Sequence, residues 1–403
     1  METGIIRLHN VYTRGINFFG ALGLNNHYQN SEIFVPVPTL QRIEAQNVYA
    51  SYAQSLCLMQ NNDLLIWGWP LDIRSQMQVL WMLKDYTTLA KLIQKYSPFP
   101  WISIREGVES PTIAAEFPGK LQKVSIGGAF VLACDDEGRA FAWGDNHRGQ
   151  CGTGEDTHTY RPYLAKSILD KFVIDVKAGY QHSLFLTHDG DVYATGRSAN
   201  FAIAKPPFRK INTHGFTSEL YKIPIENITK IAAGQNHSLF LNDIGEVLGC
   251  GKNNYGQCGQ VSTKYYVEEP TKMYMPEKIK EIACGSKHSL ALGESGKLYS
   301  WGCKIYGQVD GHRNGIYQEQ SSPLPVEIPS EHKIVKITAA FDRSGAWLEN
   351  GEFWTWGGED WRYLEGEFYE NFTLLNSLLP NSQEEIVDVG LGFIHTLVMT
   401  TSV

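Results

Sequence analysis

The chain has 403 residues, 43% apolar and 19% charged, with 38 glycines and a formal net charge of −8. That composition excludes a disordered chain. It also argues against a protein that grips phosphate backbones, which needs a basic stripe. No run of 18 apolar residues occurs, so no transmembrane segment is expected.

Seven cysteines, at positions 57, 134, 151, 250, 258, 284 and 303, are odd in number and form no C-x-x-C. A disulfide framework or a four-cysteine zinc site is not expected, and a reducing intracellular compartment is. The opening METGIIRLHN lacks both the apolar core of a signal peptide and the Arg-rich pattern of a transit peptide. A start at Met1 points the same way, so the sequons at Asn227, Asn236 and Asn371 are expected to be chance. The reading is intracellular, mitochondrial or cytoplasmic, and not secreted.

Along the chain one pattern recurs. Residues 14–25, RGINFFGALGLN, carry only the second half of it. A first, weak copy of the main segment is ASYAQSLCLMQNNDLLIWG (50–68). Between Pro70 and Pro100 the pattern breaks. There Met77, Leu80, Trp81 and then Leu89, Leu92, Ile93 and Tyr96 follow spacings of three and four, which predict two short helices. Their apolar faces either pack on their own domain or dock a partner protein.

The pattern resumes with GGAFVLACDDEGRAFAWG (127–144) and DNHRGQCGTG (145–154). AGYQHSLFLTHDGDVYATG (178–196) follows, and then residues 197–216, where the usual G-Q element is missing. The densest basic run, Lys205 to Lys210, falls here and reads as a solvated loop. AGQNHSLFLNDIGEVLGCG (233–251) with KNNYGQCGQ (252–260), and CGSKHSLALGESGKLYSWG (284–302) with CKIYGQVDG (303–311), are the clearest copies. AAFDRSGAWLENGEFWTWG (339–357) is weaker. It leads into an aromatic and acidic stretch, 359–380, with Trp361, Tyr363, Phe368, Tyr369 and Phe372. Aromatics among charges suit a protein interface or a loop folded back on the rim. A truncated copy, LGFIHTLVMTTSV, follows at the C-terminus.

The anchor of each copy falls at Ser51, Gly127, Gly179, Gly234, Gly285, Ala340 and Gly392, and a closing glycine follows 17 residues later in six of them. A fixed internal spacing with variable linkers marks a repeated hairpin. Its turn glycines are Gly138, Gly190, Gly245, Gly296 and Gly351, with Asn62 in the first copy. Asp189-Gly190 and Asn350-Gly351 predict two-residue type I′ turns. Complementary half-repeats at the two ends predict a closed ring of seven blades, the last stitched from both termini.

The G-x-x-H-S…G…W-G-x-N-x-x-G-Q-x-G pattern resembles the repeat of the regulator of chromosome condensation family. The resemblance covers nearly the whole chain and implies an all-β, seven-bladed propeller. It would make residues 1–403 one domain, with 70–100 a helical insertion between blades and 359–380 a second insertion. The pattern is sharpest at Gly179, Gly234 and Gly285, whereas Gln54, Phe130 and Arg343 replace the motif histidine. A Trp-Asp-repeat propeller has a shorter period, and a kelch propeller leaves the repeated His-Ser unexplained.

His182, His237, His288 and His395 hold one position in four copies, so a ring disperses them. They are expected to fasten their blades rather than to bind metal. No G-x-S-x-G, H-E-x-x-H or Walker loop occurs, so no catalytic set, cofactor or metal site is expected. Two function classes stay open. One is a non-catalytic scaffold bound to other protein subunits, with no direct nucleic-acid contact. The other is implied by the resemblance: the founding member is an exchange factor for the small GTPase Ran and binds chromatin, and other members act in mitochondrial assembly. The resemblance implies a basic N-terminal tail for chromatin contact; repeat-like sequence from near residue 14 makes such a tail unexpected here.

Overall fold

A computed structural model of the chain describes residues 7–15, 21–24, 31–51, 54–68, 108–113, 117–165, 168, 170–204, 215–260, 265–311, 319–358, 372–393 and 395–401. They form seven four-stranded antiparallel sheets. Blade 1 consists of Ala45–Ala50, Gln54–Met59, Leu64–Gly68 and Val108–Ile113. Blades 2 to 6 repeat that order over 121–164, 173–222, 228–272, 279–326 and 334–374. Blade 7 takes its first two strands from Ile386–Leu391 and His395–Thr401, and its outer two from His9–Gly15 and Ser31–Pro36. His9–Gly15 pairs with His395–Thr401 over seven residues, Val11 opposite Met399 and Gly15 opposite His395. The ring is closed by both termini, as the half-repeats predict. Among the described residues, no helix is long and apolar enough to cross a membrane.

Each blade lies between two others, so its second strand is buried on both faces. HSLFLT of blade 3 is buried throughout. Its alternate residues serve different neighbours, as strand geometry requires. Phe185 packs with Phe130 and Leu132 of blade 2, while Leu184 and Leu186 pack with Ile228, Ile231 and Phe240 of blade 4.

The hairpin turns differ from expectation. Gly190 and Gly351 have φ of 81° and 85°, but Asp189 and Asn350 do not have positive φ. Gly190 N–H bonds Thr187 O, and Thr187 N–H bonds Asp191 O. This is a three-residue loop, a type I turn followed by one left-handed residue. All six hairpins share it, with Asn62 at φ 77° in the glycine position. Asp-Gly suits both turn types, because the glycine alone needs the left-handed region here.

Two domain boundaries also need correction. The segment 70–100 does not lie between blades. Leu64–Gly68 and Val108–Ile113 pair within blade 1, so residues 69–107 link the third and fourth strands of one blade. The stretch 359–380 is not an insertion. Blade 6's third-to-fourth connection, 358–372, matches residues 304–318 of blade 5 in length. Its end supplies the outer strand Thr373–Leu374, and Phe372 sits on Trp356 with ring centroids 5.2 Å apart.

Candidate interaction face

The repeat histidines act across blades, not within them. His182 Nε2 lies 3.0 Å from Ser238 Oγ of the next blade, and His237 Nε2 lies 3.0 Å from Ser289 Oγ. His288 meets Ser344 at 2.8 Å, and His395 meets Ser55 at 2.7 Å. Each serine hydroxyl in turn donates to a carbonyl back in the histidine's own blade: Ala202, Gln257, Gln308 and Ala21. With its proton so committed, the serine accepts from the histidine. That fixes the Nε2–H tautomer, and Nδ1 of His237, His288 and His395 has no partner.

The motif glycine three residues earlier makes room for the ring. A Cβ on Gly179 would stand 2.2 Å from His182 Cε1, and Gly234 and Gly285 are equally crowded by His237 and His288. Gly392 faces His395 at 2.9 Å. The W-G tryptophan adds to the same seam: Trp67 Nε1–H donates to Ala21 O and Trp301 Nε1–H to Gln257 O. Ala202 shows how residues 197–216 substitute for the missing G-Q element, by offering a carbonyl at the same place.

Where the histidine is replaced, the seam changes character. Arg343 Nη1 donates to Thr396 Oγ1 at 2.6 Å, so blade 6 still ties to blade 7. Phe130 fills the histidine's place in blade 2, with its ring 2.3 Å from a Cβ built on Gly127. Ser183 keeps its bond to the Gln150 carbonyl without a histidine.

A His Nε2 close to a Ser Oγ resembles a nucleophile and its base. Here the chemistry is closed off. The four histidines are at most 2% exposed, and burial lowers their pKa to about 4 for His182 and about 3 for the others. A base so weak takes up few protons near neutrality, and the serine proton points at a carbonyl. The seven cysteines are all buried thiols. Burial pushes Cys57, Cys134, Cys151 and Cys250 up to about 12, well away from reactive thiolate.

The innermost strands surround a central cavity of about 740 Å³. Every first strand carries a bulge between its first and third residues. The third residues, in ring order, are Asn47, Lys123, Asp175, Lys230, Glu281, Lys336 and Asp388. Their charges alternate, and the odd seventh place is neutral. Lys336 Nζ lies 3.7 Å from Asp388 Oδ1, and Asn47 Nδ2–H donates to Asp388 Oδ2 at 3.1 Å. Burial raises the pKa of Glu281, and Lys230 and Lys336 oppose that rise. The ring sums to zero, and Asn47, Glu281, Lys336 and Asp388 of it line the cavity. It was missed in the sequence, although all seven stand four residues before the repeat anchor.

Antiparallel order sends each blade's first-to-second and third-to-fourth connections to one face. Gly128, Tyr180, Gln235, Ser286, Phe341 and Phe393 stand there at the cavity mouth. Backbone bonds join these loops from blade to blade, as from Ser286 N–H to Phe341 O. Phe341 and Phe393 meet edge to face, 5.4 Å apart. Residues 69–107, 205–214 and 359–371 all leave and return at this face. Met77, Leu80, Trp81, Leu89, Leu92, Ile93, Tyr96, Trp361, Tyr363, Phe368 and Tyr369 lie outside the described residues, as does the basic run Lys205 to Lys210.

The chain is similar to several known proteins. The Arabidopsis thaliana ultraviolet-B receptor UVR8 is 27% identical over 59% of this chain and 53% of its own length. The human E3 ubiquitin-protein ligase HERC2 is 28% identical over 74% of this chain. The chain thus spans about half of the plant receptor and 6% of the ligase. A mouse RCC1-like G exchanging factor-like protein is 25% identical over 98% of this chain and 88% of its own. Among solved structures, Prp20p of Saccharomyces cerevisiae superposes with a TM-score of 0.78 at 20% identity, covering 99% of this chain and 93% of the other. Human WBSCR16 gives 0.72 at 21% identity, covering 98% and 100%. The model of the RCC1-like domain matches residues 10–398. That match runs from the strand that closes the ring to its partner at the other terminus, and the chain belongs to the RCC1-like domain family.

Proposed function

We propose that the chain is a non-catalytic protein-binding scaffold, an accessory or structural subunit of a larger intracellular complex, mitochondrial or cytoplasmic. Its contact surface is the face that holds the cavity mouth and the third-to-fourth connections. The observation that carries this reading is where the unshared sequence emerges. The repeat's own histidines, serines and glycines are consumed in holding blades together. The residues the repeat does not share, above all 69–107 with its apolar helical spacing, are fed to one face. An apolar set at helical spacing, outside the shared repeat, suits a protein partner. Direct nucleic-acid binding is not expected, given the acidic chain and the neutral ring.

The test is native co-purification with partner identification, repeated with charge substitutions at Leu80, Trp81 and Leu92. The expected result is loss of the partner with an unchanged urea midpoint. Unfolding of the ring by the same substitutions would instead make the segment internal packing. The second reading, exchange on a small GTPase, is favoured by the mouse relative's name and its 98% coverage. Catalytic amounts of the chain are expected not to speed nucleotide release from a Ran-like GTPase. Clear acceleration overturns the scaffold-only reading.

A further inference from the structure

We propose that Asp145, His147 and His158 of blade 2 form a binding site for one divalent transition-metal ion of the zinc type. One potential ligand atom from each lies within 4.8 Å of the other two. The imidazole rings are 3.9 Å apart, centroid to centroid, and His158 Nδ1 is 3.6 Å from Asp145 Oδ1. Three ligands at roughly 2.1 Å from an ion stand about 3.4 Å apart in a tetrahedron. The side chains therefore close by about 1 Å on binding, within the reach of small χ rotations.

The loop is built to hold them there. Asn146 Nδ2–H donates to Glu155 O at 2.9 Å and to Thr153 Oγ1 at 3.0 Å, while Asn146 Oδ1 accepts from Cys151 N–H at 2.8 Å. These bonds fold residues 146–155 back on themselves and return His158 to Asp145. His147 Nδ1 lies 3.3 Å from Asp156 O. Donation there leaves the Nε2 lone pair for a metal, the usual outer-shell device for ligating histidines. Asp145 Oδ1 also takes the His147 N–H at 3.1 Å, which fixes the carboxylate.

The fold itself does not require this trio. The corresponding residues of blade 4 are Lys252, Asn254 and Tyr265, and the loop there is still pinned by Asn253, whose Oδ1 accepts from Cys258 N–H and whose Nδ2–H donates to Gln260 O. Two imidazoles with one carboxylate favour zinc-type ions over magnesium or calcium, which demand oxygen ligands. Three protein ligands leave one position for water or a partner's side chain. Asp145 is buried, and both histidines are half-buried with access from solvent.

The full chain, stripped by chelator and dialysed, would be titrated with zinc alone by calorimetry and with cobalt alone by visible absorption. One equivalent per chain is expected, with cobalt bands of nitrogen and oxygen ligation. H147A, H158A and D145N should each weaken zinc binding by roughly tenfold or more, with metal-free urea midpoints unchanged. Asn at 145 keeps an acceptor for the His147 N–H, so D145N isolates the charge. No zinc uptake in a micromolar titration overturns the proposal. So does stoichiometric uptake that survives in the H147A/H158A double variant.

Discussion

The seam between blades 4 and 5 yields a counterintuitive prediction. Replacing His237 by Phe should cost less than removing one oxygen from Ser289. Ser289→Ala strips the acceptor from a buried His237 Nε2–H and one donor from the Gln257 carbonyl. The carbonyl keeps Trp301 Nε1–H at 3.0 Å, but the imidazole N–H keeps nothing. An orphaned buried donor costs about 1–3 kcal/mol, and the lost hydroxyl–carbonyl bond adds about 1 kcal/mol. Ser289→Ala should therefore destabilise by about 2–4 kcal/mol. His237→Phe removes the donor along with the bond. Ser289 still donates to Gln257, and no N–H is stranded. Blade 2 already seats a phenylalanine against this glycine, with Phe130 crowding Gly127 as His182 crowds Gly179. A near-isosteric swap of that kind costs under about 1.5 kcal/mol. Urea denaturation of the two single variants and wild type decides it, midpoint by midpoint at constant slope. A larger loss for His237→Phe than for Ser289→Ala refutes the assigned tautomer and the direction of the tie.

The four seam histidines also make the ring acid-sensitive. Their folded pKa values, about 3 to about 4, lie below the ordinary 6.5, so the unfolded chain takes up protons first. Their contribution is complete above pH ~6.5 and is lost as pH falls from there toward about 4 for His182 and about 3 for the others, by up to ~1.4 kcal/mol per histidine per unit. Urea midpoints measured across that range should fall steeply for wild type and less steeply for His237→Phe. Gly179→Ala should cost more than about 3 kcal/mol or abolish soluble protein, because its Cβ meets His182 Cε1 at 2.2 Å. Gly296→Ala, where nothing lies within 4 Å and only a φ of 90° resists, should cost about 1–2 kcal/mol by thermal or urea unfolding.

Much of the ring was legible because the repeat states one local geometry seven times. Positions, closing glycines and the shared blade all follow from a fixed spacing. What the spacing cannot state is which neighbour a side chain meets. His237 and Ser289 are 52 residues apart, and a motif that reads H-S within one copy suggests one blade, while the bond runs from the H of one copy to the S of the next. Arg343 looked like a decayed histidine for the same reason. Its role appears only when Thr396 of the following blade is set beside it. The turn type was misread because Asp-Gly serves two loop lengths, and only the pairing register separates them. Residues 359–380 looked inserted because of their composition, although the anchors at Ala340 and Gly392 stand 52 apart like those of blades 2 and 3.

The charge ring shows what a seven-fold closure imposes on polar residues. Around an even ring, acids and bases can alternate without a break. Around seven, alternation must put two like charges side by side or leave one place neutral. A like charge beside the buried Asp388 would be costly, since solvent screens it little, whereas the ring lysines are exposed. Asn47 takes the odd place, between Lys123 and Asp388, and satisfies the latter with a 3.1 Å bond. Asn47→Asp would restore a like pair beside Asp388, and Asn47→Lys would do so beside Lys123. The neutral residue is thus the one choice that the two neighbours allow, and it sits in blade 1, the blade whose strands seam the ring to the terminus-stitched blade 7. The same blade carries the longest connection, 69–107. Blade 1 thus combines the neutral place of an odd ring with the longest departure from the repeat's own length.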